Sequence, residues 1–321
     1  MTGDAGTADM ARVQVGEARP DQAAEVASVI REAFTARPAL DPPAPALDET
    51  PESVAARLAE EGGLLATVGG EAVGALLMHH EETPWGDSLL LTRVSVRPAA
   101  QRLGIARTLA ATAEDVAARR GLARVHLHAR AELPESIEFW LRQGYREASR
   151  EGTLLTLARE LPVSLPVPTG EAMQDLGRRL AGLLRAGDLV LLSGDLGAGK
   201  TTLTQGVGDG LGVRGAVTSP TFVISRIHPG PLPLVHVDAY RLGGLEELED
   251  LDLDVSLADS VTVVEWGGGI AEGLAEERLE IEIVRPPTAE DETRVVRVTP
   301  VGARWLGTGL TQGWSGASSE S

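Results

Sequence analysis

The chain of 321 residues contains no cysteine. Disulfides, thiolate metal sites and a cysteine acyl-enzyme are excluded, so any chemistry must run on oxygen, nitrogen and bound small molecules. Basic residues are in the minority, 29 Lys and Arg against 47 Asp and Glu, giving a formal net charge of -18. That balance argues against broad binding of a phosphate backbone, whose affinity rests on Lys and Arg neutralising phosphates. A nucleic acid as final substrate would then be held by a partner, and the acidity equally serves solubility. No apolar run approaches the roughly 18 residues that a membrane span requires. The start, MTGDAGTADMARVQV, has neither the basic nor the apolar segment of a leader. These absences predict a cytoplasmic protein without membrane contact.

Length and a hydrophobic content of 43 % suit two domains of mixed α and β. Residues 37–52, RPALDPPAPALDETPE, lack helical or strand periodicity and read as a loop within the first domain. LPVSLPVPTG, residues 161–170, reads as an inter-domain linker, and the small polar tail GTGLTQGWSGASSES as disordered. The resulting expectation is a first domain over 12–160, a linker over 161–170, a second domain over 171–300 and a tail over 301–321. In the first domain strands are expected near Val13 and over 64–68, 72–78, 89–96, 124–129 and 154–158. The clearest helix is ARTLAATAEDVAARRG, stopped by Gly121. In the second, a helix over 171–184 precedes strands over 188–192, 234–238, 261–265, 279–284 and 294–298.

Gly194, Gly199, Lys200 and Thr201 fit the spacing G-x-x-x-x-G-K-[ST], with the apolar strand DLVLLS before and the helix TTLTQGVGDGL after. In such a loop, here Gly194, Asp195, Leu196, Gly197, Ala198 and Gly199, backbone N–H groups point at a β-phosphate. Lys200 bridges β and γ oxygens, Thr201 offers a hydroxyl to Mg²⁺, and the helix N-terminus adds partial positive charge. Two further apolar strands end in acids, VTVVEWG at Glu265 and LVHVDAYRL at Asp238. Glu265 stands where a metal-serving carboxylate sits at the mouth of a parallel sheet.

Taken in order, GDLGAGKTT, TSPTF, HVDAYRL, the acidic LEELEDLDLD and VVEW resemble the bacterial TsaE family, the small ATPase of tRNA threonylcarbamoyladenosine biosynthesis. The resemblance covers about residues 168–300. It implies that ATP and Mg²⁺ are the cofactors, with Thr202 supporting the phosphates and Thr201 and Glu265 serving the metal. It also implies that Asp238 is a second acid near the γ-phosphate, that Ser219-Pro220-Thr221 is a switch turn, and that Trp266 packs near the nucleotide or in the core. The implied partners are the TsaD transferase and TsaB, and tRNA is met only through them. The run from Glu246 to Asp254 is either a partner-facing surface or a solvated helix face. The phosphate loop alone leaves two alternatives open, a small-molecule kinase and a nucleotide-gated interaction module. Arg226 and Arg241 are a thin supply of arginine for the kinase.

In the front half, LTRVSVRPAAQRLGIARTLAATAEDVAARRGL resembles the coenzyme A pyrophosphate segment of GCN5-related N-acetyltransferases (GNAT), and RVHLHARAELPESIEFWLRQGYREA resembles the family's later strand, helix and aromatic ending. The likeness is greatest to the ribosomal-protein alanine acetyltransferase branch and spans about residues 12–160. It implies that Val96, Gln101, Arg102, Leu103, Gly104, Ile105 and Ala106 hold acetyl-CoA, and that the acceptor is an amine or a protein N-terminus. Several positions depart from that branch. His128 stands where it has a glutamate base, Leu133 at its asparagine, and Trp140 at the tyrosine that protonates the leaving thiolate. An indole cannot act as a general acid, whereas His128 can accept a proton. Either an acetyltransferase of altered mechanism or a binding remnant is expected.

Overall fold

The computed structural model describes residues 13–220, 223–241, 257–267, 271–285 and 293–310. Thr221, the acidic run 246–254 and the last eleven positions, 311–321, lie outside the described residues. The chain divides into two compact units, Met1–Ala158 and Arg159–Ser321.

The first unit runs β1 (Gln14–Glu17), α1 (Ala23–Thr35), α2 (Pro51–Glu60), β2 (Gly63–Val68), β3 (Glu71–Thr83), β4 (Gly86–Val96), α3 (Ile105–Arg119), β5 (Arg124–Arg130), α4 (Pro134–Arg142), β6 (Arg146–Glu151) and β7 (Leu154–Glu160). The strands form one sheet in the order β1-β2-β3-β4-β5-β7-β6. Val26, Val29, Ile30 and Ala33 recur at helical spacing, and this face of α1 is buried. It packs with Val54 and Leu58 of α2 and with Leu65, Ala75 and Leu77 of the sheet. Thr50 starts α2 by accepting from the Ser53 backbone N–H, with Pro51 at the first helical position. Within residues 37–52, read as loop, Pro45–Asp48 form a 3-10 turn. β4 and β5 are parallel and paired at Leu89 with Val125 and Leu90 with His126.

The second unit continues with β8 (Val163–Val167), α5 (Gly170–Ala181), β9 (Leu189–Ser193), α6 (Lys200–Leu211), β10 (Ser225–His228), β11 (Leu234–Asp238), β12 (Val261–Glu265), β13 (Arg278–Val284) and β14 (Arg294–Val301). Its sheet has the order β10-β11-β12-β9-β13-β14-β8. β11, β12, β9 and β13 are mutually parallel. Such strands are covered on both faces and read as continuous apolar runs. Val190, Leu192 and Val263 pack on the side of α5 and α6, while Leu189, Leu191, Val235 and Val264 pack on the other. The two helices approach so closely that a Cβ on Gly206 would lie 2.1 Å from the Gln174 carbonyl oxygen.

Two expectations are corrected. Residues 161–170 are not a free linker, because Val163–Val167 pair antiparallel with β14 as the sheet's edge strand and Gly170 opens α5. Pro166 sits on that edge strand, where a missing N–H is tolerated. Nor does the second unit end at residue 300. Trp305 is fully buried in the main core, and Arg304 pairs with Asp188 at 2.9 Å, both side chains being nearly inaccessible.

Candidate functional site

The parallel strands β11, β12 and β9 bring three carboxyl-terminal ends side by side. Asp238 is level with Glu265, and Glu265 with Leu192, one residue before β9 ends and the glycine loop begins. Gly194 has φ 138°, a conformation that L side chains rarely adopt, and a Cβ there would stand 2.4 Å from the Ile283 carbonyl oxygen. The loop turns back through an Ala198 N–H bond to the Asp195 carbonyl, leaving Leu196 86 % exposed at its tip. Gly197 carries the chain to Gly199, the left-handed residue before α6, so the unpaired N–H groups of the first turn open toward the loop.

Lys200 is the chain's single lysine, and its side chain is nearly buried. Its Nζ donates to the carbonyls of Gly194 at 2.7 Å and Asp195 at 3.1 Å. The same ammonium stands 3.8 Å from the centre of the Trp266 ring, a cation–π contact. Tyr240 packs on the Trp266 indole at 5.2 Å between ring centres. Burial pushes the Lys200 ammonium below its ordinary range, against the pull of Glu265, Asp238 and Asp195.

Thr201 Oγ1 donates to Glu265 Oε1 at 2.9 Å, and His236 Nε2 lies 2.9 Å from that same oxygen. Glu265, Asp238 and His236 are all buried. A buried carboxylate retained beside a threonine hydroxyl is a pair of hard oxygen donors, the set that suits Mg²⁺. Asp238 Oδ1 accepts from the Tyr240 N–H at 3.1 Å. Thr202 is half-buried on the first turn of α6. Just before the expected switch turn Ser219-Pro220-Thr221, Thr218 accepts from Arg226 at 2.6 Å. The motif spacing assigns His236 no role, although it stands two residues before Asp238 on the same strand. Alternation in a buried strand puts both on one face, and that was the available signal.

A model of "Threonylcarbamoyl adenosine biosynthesis protein TsaE" matches residues 167–295. A Streptomyces coelicolor protein named tRNA threonylcarbamoyladenosine biosynthesis protein TsaE is 70 % identical over 139 residues, covering 41 % of this chain and 93 % of that protein. The chain belongs to the TsaE family. The Mycobacterium tuberculosis protein of the same name is 46 % identical over 139 residues, 40 % of this chain and 82 % of the relative. The solved structure of Bacillus subtilis YdiB shares 35 % identity, with a TM-score of 0.39 over 47 % of this chain and 95 % of that one. A model of the acetyltransferase (GNAT) family matches residues 26–145, so the chain joins a GNAT domain to a TsaE domain. With these relatives the kinase alternative is not favoured. No helix among the described residues is long and apolar enough to cross a membrane.

In the GNAT domain, β4 ends at Val96 and a turn over Gln101, Arg102 and Leu103 leads to Gly104, the left-handed residue that opens α3. Arg102 and Gly104 both have positive φ, and Leu103 is 59 % exposed. Ile105 is buried against Gly74, where a Cβ would meet its Cγ2 at 2.6 Å, while Ala106 is half-buried. Trp140 is core, 5.0 Å edge-on from buried Tyr145, and Leu133 is the residue before α4. His128 is exposed, and Thr156 Oγ1 is 3.3 Å from its Nδ1. His126, two residues earlier, is buried, and burial holds its imidazole below the ordinary range against the hydrogen bond and charge of Glu81.

Proposed function

We propose that the TsaE domain is a Mg²⁺-dependent ATPase that drives tRNA threonylcarbamoyladenosine formation together with TsaD and TsaB in the cytoplasm. The observation that carries this reading is the convergence of Thr201 and Glu265 within 2.9 Å beside Lys200, at the mouth of the parallel sheet. Support comes from relatives named for that biosynthesis at up to 70 % identity.

ATP is the substrate, with its phosphates facing the N–H groups of residues 194–199 and the start of α6. Lys200 exchanges its two loop carbonyls for phosphate oxygens, a change that replaces neutral acceptors by charged ones. The hydroxyl of Thr201 and the carboxylate of Glu265 hold Mg²⁺. When bound, the ion neutralises charge on the phosphate oxygens. His236 fixes the Glu265 carboxylate. Asp238, anchored by the Tyr240 N–H, orients the attacking water and accepts its proton. Thr202 and Trp266 line the phosphate side.

In the GNAT domain, Val96 and residues 101–106 bind acetyl-CoA, with the α3 N-terminus facing the pyrophosphate. Transfer to an amine or protein N-terminus calls for a base, and the exposed His128 is the residue assigned that part in this reading.

The test is multiple-turnover formation of threonylcarbamoyladenosine with TsaD, TsaB and tRNA, comparing the intact chain with Lys200→Ala and Glu265→Ala. Product requires the intact chain and fails with both folded variants. Product formation independent of the chain overturns the assignment.

A further inference from the structure

Glu81 on β3 and His126 and His128 on β5 each offer one ligand atom, and the three atoms lie within 4.8 Å of one another. His126 Nε2 is 2.9 Å from Glu81 Oε2. On the opposite side of that ring, Nδ1 is 2.8 Å from the hydroxyl of Ser88, a fully buried residue on β4. His128 repeats the pattern, with Thr156 Oγ1 beside its Nδ1. Each imidazole therefore has a hydroxyl beside its Nδ1, and the Nε2 of His126 is aimed at the carboxylate. Orientation of a ring through its second nitrogen is what metal-ligating histidines receive from their neighbours.

We propose that Glu81, His126 and His128 bind a divalent transition cation of the zinc class, with Ser88 and Thr156 orienting the two rings. Two imidazoles and one carboxylate are the donors that zinc takes at sites where a further position stays open. Nitrogen donors also separate this site from the all-oxygen pair Thr201 and Glu265, which suits Mg²⁺. A tetrahedral zinc with bonds of about 2.0 Å spaces its ligand atoms about 3.3 Å apart. The His126 to Glu81 separation of 2.9 Å is already close to that spacing. The remaining closure falls to side chains that are free to move, exposed His128 and partly exposed Glu81, while buried His126 stays fixed.

The site lies where β4 pairs with β5, at Leu90 and His126, and the strands run on to Val96 and Arg130. The proposal does not depend on the ATPase reading. It does constrain the acetyl-transfer reading, because a His128 bound to metal through one nitrogen and protonated on the other cannot take a proton.

The test uses the full chain stripped with a chelator, in millimolar Mg²⁺ and a non-hydrolysable ATP analogue so that the phosphate-loop site is occupied. Co²⁺ is titrated by visible absorption, Zn²⁺ by calorimetry, and Tm is read with and without Zn²⁺. One equivalent of each is expected to bind, with absorption of imidazole-ligated Co²⁺. Binding should weaken by about 10-fold or more in His128→Ala, whose exposed position spares the fold, and in Glu81→Gln. Glu265→Gln should bind as the wild type does, and Zn²⁺ should raise the Tm of the wild type but not of His128→Ala. Absence of saturable binding, equal binding by His128→Ala, or loss confined to Glu265→Gln overturns the proposal.

Discussion

The imidazole of His236 and the carboxylate of Glu265 meet at 2.9 Å across adjacent parallel strands, on the same oxygen that accepts from Thr201. The other ring nitrogen, Nδ1, has no hydrogen-bond partner among the described residues. All the polar bonding of this buried ring is therefore spent on orienting one carboxylate. His236→Ala is expected to weaken Mg²⁺ by about 10- to 100-fold, as for other partners of metal ligands. The Mg²⁺ dependence of ATP hydrolysis with TsaD and TsaB present measures it. His236→Gln, which can still present a donor to Glu265, should recover part of the loss. An unchanged Mg²⁺ half-saturation in His236→Ala removes the positioning role.

Trp266 covers Lys200, so ATP binding that draws the ammonium toward phosphate must uncover the indole face. Mg-ATP is expected to shift the tryptophan emission of the chain, and Trp266→Phe to abolish the shift while four other tryptophans remain, from a total of 5. A shift of equal size in Trp266→Phe would place the change elsewhere.

The seam between α5 and α6 predicts a contrast between two glycines. A methyl at Gly206 meets the Gln174 backbone at 2.1 Å, whereas one at Gly170, also helical, meets nothing within 4 Å. Gly206→Ala should destabilise the TsaE domain by about 1–3 kcal/mol or more through overpacking. Gly170→Ala should be neutral or stabilise by up to about 1 kcal/mol. Urea unfolding of both variants decides, and equal midpoints would refute the close approach.

Trp305 lies fully buried beyond the expected end of the domain. Trp305→Ala is expected to cost about 3–5 kcal/mol, read as a drop in Tm of the TsaE transition. A drop under one degree would mean that the residues after 300 are dispensable.

Glu49 of the GNAT domain is buried, which pushes its carboxyl up, but Ser53, Arg57 and Arg93 outweigh the burial and hold it below the ordinary carboxylate range. A carboxyl depressed on folding contributes stability that is present above its unfolded pKa and lost as pH falls through its folded one. The GNAT domain should therefore lose stability below about pH 4.5, and Glu49→Gln should flatten that part of the profile. A variant with the same acid slope as wild type would rule Glu49 out as a source of it.

The phosphate loop was legible because every element of it is local. Gly194, Lys200 and Thr201 announce themselves by spacing, and β11 and β12 could be read to the residue because both are apolar runs closed by an acid. β6, with sequence REASRE, and β8, with two flanking prolines, were not legible. Both are edge strands, whose pairing comes from a neighbour and not from their own apolar pattern. His126 and His128 alternate on one strand and so share a face, but Glu81 joins them from another strand across β4, a juxtaposition that only the sheet order reveals. Trp140 was identified as a departure from the acetyltransferase pattern, and its edge contact with Tyr145 gives the reason: it fills the core.

Lys200, the lone lysine, has its amine withdrawn beneath an indole and tied to two carbonyls. For reagents that modify amines, this chain has one side-chain target besides its amino terminus, and that target stands in the loop proposed above to hold ATP. A single mass increment on the peptide containing residue 200 would thus report occupancy of the phosphate loop directly. No background from other lysines would need to be subtracted.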